Sequence, residues 1–357
     1  MAVVSSWRVE QRSKLLSFVW LGVWTNLVTL LTLTLFRFWQ RTLFRRKLWG
    51  ETTINDEPLE YIGKGSELFF GFLIALLVLG LPPALGFFLI QQFLGPIWVG
   101  VYVSVLYLFL FVLIGVAIFL ARRYQLSRTM WRGVRFRQTG SAWAYSFAAI
   151  GYGILTGLTF GWFGPVARLR LARRMWKDVL YGDMPFSWDE EPPGPKEPVY
   201  LSFALSWFGF VLPYIGLIVA IIALRFNPTP EAGFDIAKLG AVYAIAFGFG
   251  IVYLLFAAWH EAVMFRRVTQ SLSIGTVRLR SHFSTWDYLG AAFGGVLITV
   301  LTLGFGFMAA QMLLWRTVAN RLELEGALDI DAIQQAEGRG PRTGEGLADA
   351  FDLSGGF

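Results

Sequence analysis

Long apolar runs alternate with short polar and basic stretches along most of the chain. Seven runs reach about 20 residues, the length that an α-helix needs to cross the hydrocarbon core of a bilayer. They lie near residues 17–36, 68–91, 97–121, 141–164, 199–224, 237–259 and 285–309. This pattern predicts an all-α polytopic membrane protein with about seven hydrophobic segments.

Basic residues indicate the side of the membrane on which the connections lie. Clusters of Arg follow the third and sixth runs, whereas the links 92–96 and 226–236 contain no Lys or Arg. Because Lys and Arg concentrate in cytoplasmic loops, we expect helical hairpins near 68–121 and 199–259 that open to the cytoplasm. Residues 1–16 are predicted to be a cytoplasmic segment ahead of a multi-pass domain in the bacterial inner membrane.

The first, fourth and seventh runs have basic residues on both flanks. A single crossing of each would place one basic cluster outside, so these runs either cross against the charge rule or break and return to the cytoplasmic side. The sequence leaves both paths open, and the density of glycine in the fourth and seventh runs favours the broken path.

Self-comparison indicates internal repeats within a membrane domain over 17–330. The segment 134–173 aligns with 277–316 without gaps, and the alignment matches Arg-x-Arg and Trp-x-Tyr outside the apolar run. The segment 32–61 aligns in the same way with 159–188. Units near 17–61, 134–188 and 277–330 therefore repeat an apolar segment, a basic amphipathic stretch and a polar hairpin.

The polar hairpins follow from alternation of apolar and polar residues around turn residues. The segments 52–61, 134–145, 180–188 and 322–330 show this pattern, which predicts short β-strands. Because such pieces are too short to be stable alone, we expect them to pair into a small cytoplasmic sheet beneath the helices.

Composition excludes several classes of protein. The chain is 55% hydrophobic and 15% charged, which argues against a disordered chain, a soluble enzyme domain and a nucleic-acid-binding module. The net charge of +7 is unevenly divided, because residues 322–357 hold eight acidic and two basic side chains. The segment 331–357, which is acidic and rich in glycine, is predicted to be a disordered tail.

Two basic amphipathic stretches are candidate contacts for anionic lipids, because their bases alternate with aromatic or aliphatic residues at helical spacing. The candidates are Arg37, Arg41, Arg45, Arg46 and Lys47 in one stretch and Arg168, Arg170, Arg173 and Arg174 in the other. A plain topology anchor and a specific site for an acidic lipid or anionic substrate are both consistent with this pattern. Membrane lipids, with anionic headgroups, are the predicted partners, and the sequence does not identify a protein partner.

Strongly polar side chains are sparse within the apolar runs. Asn26 lies inside the first run, and Thr156 and Thr299 occupy matching positions of the fourth and seventh. We take these three as candidate polar residues at repeat interfaces, where hydrogen bonds hold helices together in lipid.

Several segments resemble the YjgN-like family of bacterial inner-membrane proteins of unknown function. The resemblance rests on segments 26–33, 45–52, 58–61, 65–71 and 126–136, and it covers about 20–330. It implies a multi-pass inner-membrane protein and brings no assigned chemistry.

Catalytic and cofactor motifs are not evident in the sequence. The chain has no Cys and two His that are far apart, so we predict no metal site, no cofactor and no enzyme activity. The absence of Asp, Glu or His from the centres of the apolar runs argues against a proton-coupled pump. We therefore expect a membrane scaffold or regulatory protein, with a transporter or channel for lipids or small solutes as the alternative.

Overall fold

The computed structural model describes residues 6–223, 236–326 and 333. Its strands are β1 (Ser6–Gln11), β2 (Thr52–Ile54), β3 (Glu57–Tyr61), β4 (Thr129–Trp131), β5 (Val134–Gln138), β6 (Val179–Tyr181), β7 (Met184–Trp188), β8 (Leu272–Ile274), β9 (Val277–Ser281) and β10 (Leu322–Glu325). Its helices are α1 (Leu15–Leu31), α2 (Arg37–Gly50), α3 (Gly65–Phe93), α4 (Pro96–Ser127), α5 (Ala142–Leu158), α6 (Gly164–Trp176), α7 (Val199–Ala223), α8 (Ile236–Gln270), α9 (Thr285–Leu301) and α10 (Phe307–Ala319).

The ten strands form one closed antiparallel barrel, in the order β1-β10-β9-β8-β7-β6-β5-β4-β3-β2. Tight turns join β2 to β3, β4 to β5, β6 to β7 and β8 to β9. The first two of these turns place both central residues at positive φ, at Asn55 and Asp56 and at Arg132 and Gly133. Such turns match the twist of paired strands. Two of the predicted hairpins, 52–61 and 180–188, are present as β2–β3 and β6–β7. The prediction of a hairpin over 134–145 was wrong, because β5 ends at Gln138 and α5 begins at Ala142, so β5 pairs with the preceding strand β4. The described part of 322–330 holds the single strand β10. All these strands close one barrel instead of forming a small open sheet.

Pairs of helices connect five of the six remaining couples of neighbouring strands, and the sixth couple, β1 and β10, closes the barrel. The pair α1–α2 joins β1 to β2, α3–α4 joins β3 to β4, and the same order continues through α9–α10 between β9 and β10. Because the strands are antiparallel, all five helical pairs leave from one end of the barrel, which we call the helix end. The tight turns lie at the opposite end, the turn end.

Four of the described helices, α3, α4, α7 and α8, are long and apolar enough to cross a bilayer. The helices α1, α5 and α9, which correspond to the first, fourth and seventh apolar runs, have 17 residues each. At 1.5 Å per residue they extend about 26 Å, less than the roughly 30 Å of a hydrocarbon core. The prediction of an all-α fold with about seven spanning segments was therefore wrong.

A threonine-stabilised turn ends each of the 17-residue helices α1, α5 and α9 and reverses the chain. Thr32, Thr159 and Thr302 each donate through the hydroxyl to the carbonyl four residues earlier, and each accepts the amide four residues later. Two residues after each Thr, the amide bonds to the carbonyl five residues before it at 2.7 Å. This is the Schellman pattern that terminates helices. Apolar run length alone did not reveal it, because the turn is itself built from apolar residues.

Aromatic side chains fill the barrel. The rings of Trp7 and Trp131 lie 5.6 Å apart, and those of Trp131 and Tyr181 are also 5.6 Å apart. The Tyr181 hydroxyl donates to the Trp131 carbonyl at 2.9 Å, and burial raises the pKa of Tyr181 to about 12. The helices α1, α2 and α10 continue this core at the helix end, through Phe18 and Met312 among others.

The core reaches one residue of the predicted disordered tail. Ile333 is 8% exposed and packs with the barrel residues. The remainder of 331–357 lies outside the described residues, as does most of the predicted outer link 226–236.

Candidate functional site

Four basic side chains, on α6 and immediately after it, line a single cavity at the helix end of the barrel. Arg170, Arg173, Arg174 and Lys177 follow the spacing i, i+3, i+4, i+7, which places them on one face of a helix. Tyr152 of α5 forms the opposite wall, and the cavity has a volume of about 380 Å³. Arginine stays charged at physiological pH, so this space carries a strongly positive potential.

Aromatic rings position one of these bases, Arg170. The Arg170 guanidinium carbon lies 5.7 Å from the centre of the Tyr152 ring and 5.6 Å from that of Phe163. A cation held over ring faces keeps its N–H groups available at its edge. Arg170 is therefore oriented by the helical pair itself, and it has no acidic partner among the described residues.

Acidic side chains engage two other arginines of α6. Arg173 pairs with Glu190, which lies between β7 and α7. Arg168 makes a bidentate pair with Glu261 of α8, with both N–O distances at 2.7 Å. The hydrogen bond to Glu261 raises the pKa of Arg168. The structure therefore separates Arg168, which links α6 to α8, from the three arginines that line the cavity.

The five predicted bases of α2 differ from the cavity bases of α6 in what they contact. Arg45 is buried and donates to the Tyr61 hydroxyl at 3.3 Å. Arg46 donates to the Gly63 carbonyl at 3.1 Å, and Lys47 to the Ser17 carbonyl at 3.3 Å. Arg37 lies over the Phe38 and Phe72 rings, and Arg41 is half-buried on the same helix. Most of these bases are therefore engaged by groups of the fold and do not line one cavity.

The candidate interface residues also divide into two groups. Asn26 donates to the Phe305 carbonyl at 3.3 Å and accepts from Gln40 at 2.8 Å, so it joins the first helical pair to the last. Thr156 and Thr299 instead donate to carbonyls of their own helices, both at 2.8 Å.

Sequence reasoning missed Lys177, Tyr152 and Gln40. Lys177 was detectable, because it extends the helical spacing of Arg170, Arg173 and Arg174 by one turn. Tyr152 and Gln40 were not detectable from the sequence. Tyr152 lines the cavity and Gln40 bonds Asn26 only because α5 and α2 pack against partner helices. His260, the histidine of the sixth run, has its Nδ1 3.0 Å from the buried Ser202 hydroxyl.

A barrel whose helix end carries two pairs of helices long and apolar enough to cross a membrane indicates a helical membrane protein with a β-barrel base. The particular family follows from comparison with known proteins. The chain belongs to a family of bacterial proteins of unknown function (DUF898), whose family model matches residues 18–350. This match confirms the YjgN-like resemblance of the sequence. No curated protein and no solved structure matches the chain.

Proposed function

We propose that this protein is a multi-pass scaffold of the bacterial inner membrane, with its barrel on the cytoplasmic side and no catalytic role. The observation that carries the proposal is that all five helical pairs leave one end of a closed barrel. The pairs α3–α4 and α7–α8 would cross the bilayer, and the barrel would present a fixed platform beneath it. The turns at the far end of the barrel would then face the cytoplasm.

The short pairs fit this orientation. Each of α1–α2, α5–α6 and α9–α10 starts and ends at the barrel, so each would enter the bilayer part-way and return. Their turns are apolar and exposed, with Leu33 at 84% and Leu303 at 87%, as expected for residues in contact with acyl chains. Both basic flanks of a short pair then lie on the same side, which removes the conflict with the positive-inside rule.

The repeat alignments support descent of the three short pairs from one repeated unit. The repeat alignment that matches 32–61 to 159–188 also places α1 on α5, and the one that matches 134–173 to 277–316 places α5 on α9. Anionic headgroups at the cytoplasmic surface are the partners we propose for the basic helices α2 and α6.

The packed barrel favours a scaffold over a channel along the barrel axis. Trp7 and Tyr181 each pack against Trp131 in the interior, so a solute path there would require displacement of three large rings. A scaffold should leave trapped small solutes inside sealed proteoliposomes. Release faster than from empty vesicles would favour the transporter alternative.

Single-cysteine labelling tests the orientation, because the natural chain has no Cys. We expect a membrane-impermeant maleimide to label Leu94→Cys, between α3 and α4, in intact spheroplasts. It should label Asp183→Cys and the control Arg278→Cys, both near the turn end, only after permeabilisation. Leu33→Cys should stay protected in both conditions because lipid surrounds it. Labelling of Asp183→Cys from outside would refute the proposed orientation.

A further inference from the structure

We propose that the α5–α6 cavity is a binding site for the phosphate group of an anionic ligand, and that an anionic phospholipid supplies that group. This inference rests on the proposed membrane function and assigns a ligand class to one of its surfaces. Its starting point is the convergence of three arginines and one lysine on one space of about 380 Å³.

The charges of the cavity exceed what the fold itself neutralises. Glu190, on Arg173, is the acidic partner of these four cations among the described residues. The carbonyls at the end of α6 attract cations in its last turn, but a helix terminus carries only about half an elementary charge. A phosphate, with its negative charge and several acceptor oxygens, matches the remaining arginine donors.

The other short pairs do not build this site. At the aligned positions of α2, Arg46 and Lys47 donate to backbone carbonyls, and Leu43 takes the place of Arg170. At the aligned positions of α10 one base remains, Arg316. The three short pairs share their turns and the length of their first helix, so the cluster on α6 is not a requirement of the shared architecture.

The surroundings of the cavity favour an amphiphile over a soluble ion. The bases lie on the half of α6 nearest the barrel, because α6 ends at Trp176 and β6 starts at Val179. Farther from the barrel, α5 and its turn expose the apolar side chains Leu155, Leu158 and Phe160. A phospholipid could place its phosphate among the bases and its acyl chains along this apolar surface.

Native mass spectrometry of the full chain in detergent tests the site. The test variant is Arg170→Gln/Arg174→Gln, and the matched control is Arg132→Gln/Arg278→Gln, which removes the same charge near the turn end. Wild type and control should retain added phosphatidylglycerol in preference to phosphatidylcholine. The test variant should bind phosphatidylglycerol at least about tenfold more weakly. Lys177→Gln, at an exposed position, should weaken binding in the same direction and serves if the double variant does not fold.

Titration with inorganic phosphate separates the two sources of the ligand. The lipid assignment predicts that phosphate alone competes weakly with phosphatidylglycerol. Tight binding of phosphate that is lost in the test variant, without preference for phosphatidylglycerol, would overturn the lipid assignment and leave a phosphate site. Equal binding of every probe by wild type and test variant would overturn the site altogether. Binding in detergent does not depend on membrane orientation, so this outcome is distinguishable from failure of the labelling experiment.

Discussion

Replacement of Gly22 by Ala should weaken the closure between the first and last helical pairs. Gly22 lies on α1 against the turn between α9 and α10. A Cβ atom at this position would stand 2.3 Å from the Phe305 carbonyl oxygen and 3.8 Å from Cβ of Met308. One helical turn later, Asn26 donates to the same Phe305 carbonyl.

The expected loss follows from these contacts. Carbon and its neighbours pack at about 3.5 Å, so the turn would have to retreat by roughly 1 Å. Overpacking of this kind costs about 1–3 kcal/mol. The retreat would also stretch the hydrogen bond from Asn26, which is worth about 0.6 kcal/mol by the average measured within membranes. Together these effects predict a loss of about 1.5–3.5 kcal/mol in the free energy of unfolding.

Thermal unfolding in detergent, followed by tryptophan fluorescence, measures this effect. Gly151→Ala is the matched control, because Gly151 lies within α5 and a Cβ there meets nothing within 4 Å. The control should unfold at or slightly above the wild-type midpoint, since Ala favours a helix over Gly. A Gly22→Ala midpoint equal to that of the control would refute the close approach of the two pairs.

Four further substitutions test other parts of the fold by the same unfolding measurement. Thr34 has φ +71° where the matching turn has Gly304 at φ +89°. Thr34→Gly should therefore raise the free energy of unfolding, and Gly304→Ala should lower it, each by about 1 kcal/mol. The opposite signs would refute the shared turn. Burial alone would raise the pKa of Asp287, but hydrogen bonds from Ser284 and the pair with Arg321 outweigh it and hold that pKa below its usual value. The carboxylate therefore stabilises the fold above about pH 4, and this contribution is lost as pH falls through the lower folded pKa. Asp287→Asn should cost about 1 kcal/mol at pH 7 and less at pH 3; a cost independent of pH would contradict this. Ile333→Asp should cost more than about 2 kcal/mol because the side chain is buried, and an unchanged midpoint would show that Ile333 does not pack with the barrel.

The sequence revealed the helices well because burial in lipid leaves a strong local signal. The two long hairpins near 68–121 and 199–259 correspond to α3–α4 and α7–α8. The short helices were harder to place, because their turns contain apolar residues such as Leu33 and Leu303 that extend the apolar run beyond the end of the helix.

The barrel could not be predicted because its strands have three to six residues and pair across large sequence separations. The partners Trp7 and Leu324, for example, stand at opposite ends of the chain. Local alternation identifies individual strands but not their partners. The repeat suggested equivalent hairpins. It did not show that β1 and β10, which no tight turn connects, pair with each other and close the barrel.

The candidate site was predicted only in part, because its helical spacing is local whereas its tertiary contacts are not. Helical spacing by itself places Arg170, Arg173 and Arg174 on one face. Their distinction from the bases of α2 depends on tertiary contacts, such as those of Arg46 with Gly63 and of Lys47 with Ser17. Charge pattern alone does not separate a base that is engaged by the fold from one that lines a cavity.

Closure of the barrel by its first and last strands is the central claim, and disulfide crosslinking measures it directly. Arg8 and Glu323 face each other in the β1–β10 ladder, and partners in such a ladder lie about 4.5–5.5 Å apart at Cα, which a disulfide can bridge. We predict rapid oxidation of Arg8→Cys/Glu323→Cys to a single intramolecular crosslink in membranes, detected by mass spectrometry of the digested chain. The control Arg8→Cys/Arg135→Cys, four strands apart, should remain reduced. Failure of the first pair to crosslink, or equal crosslinking of both pairs, would contradict the closed barrel.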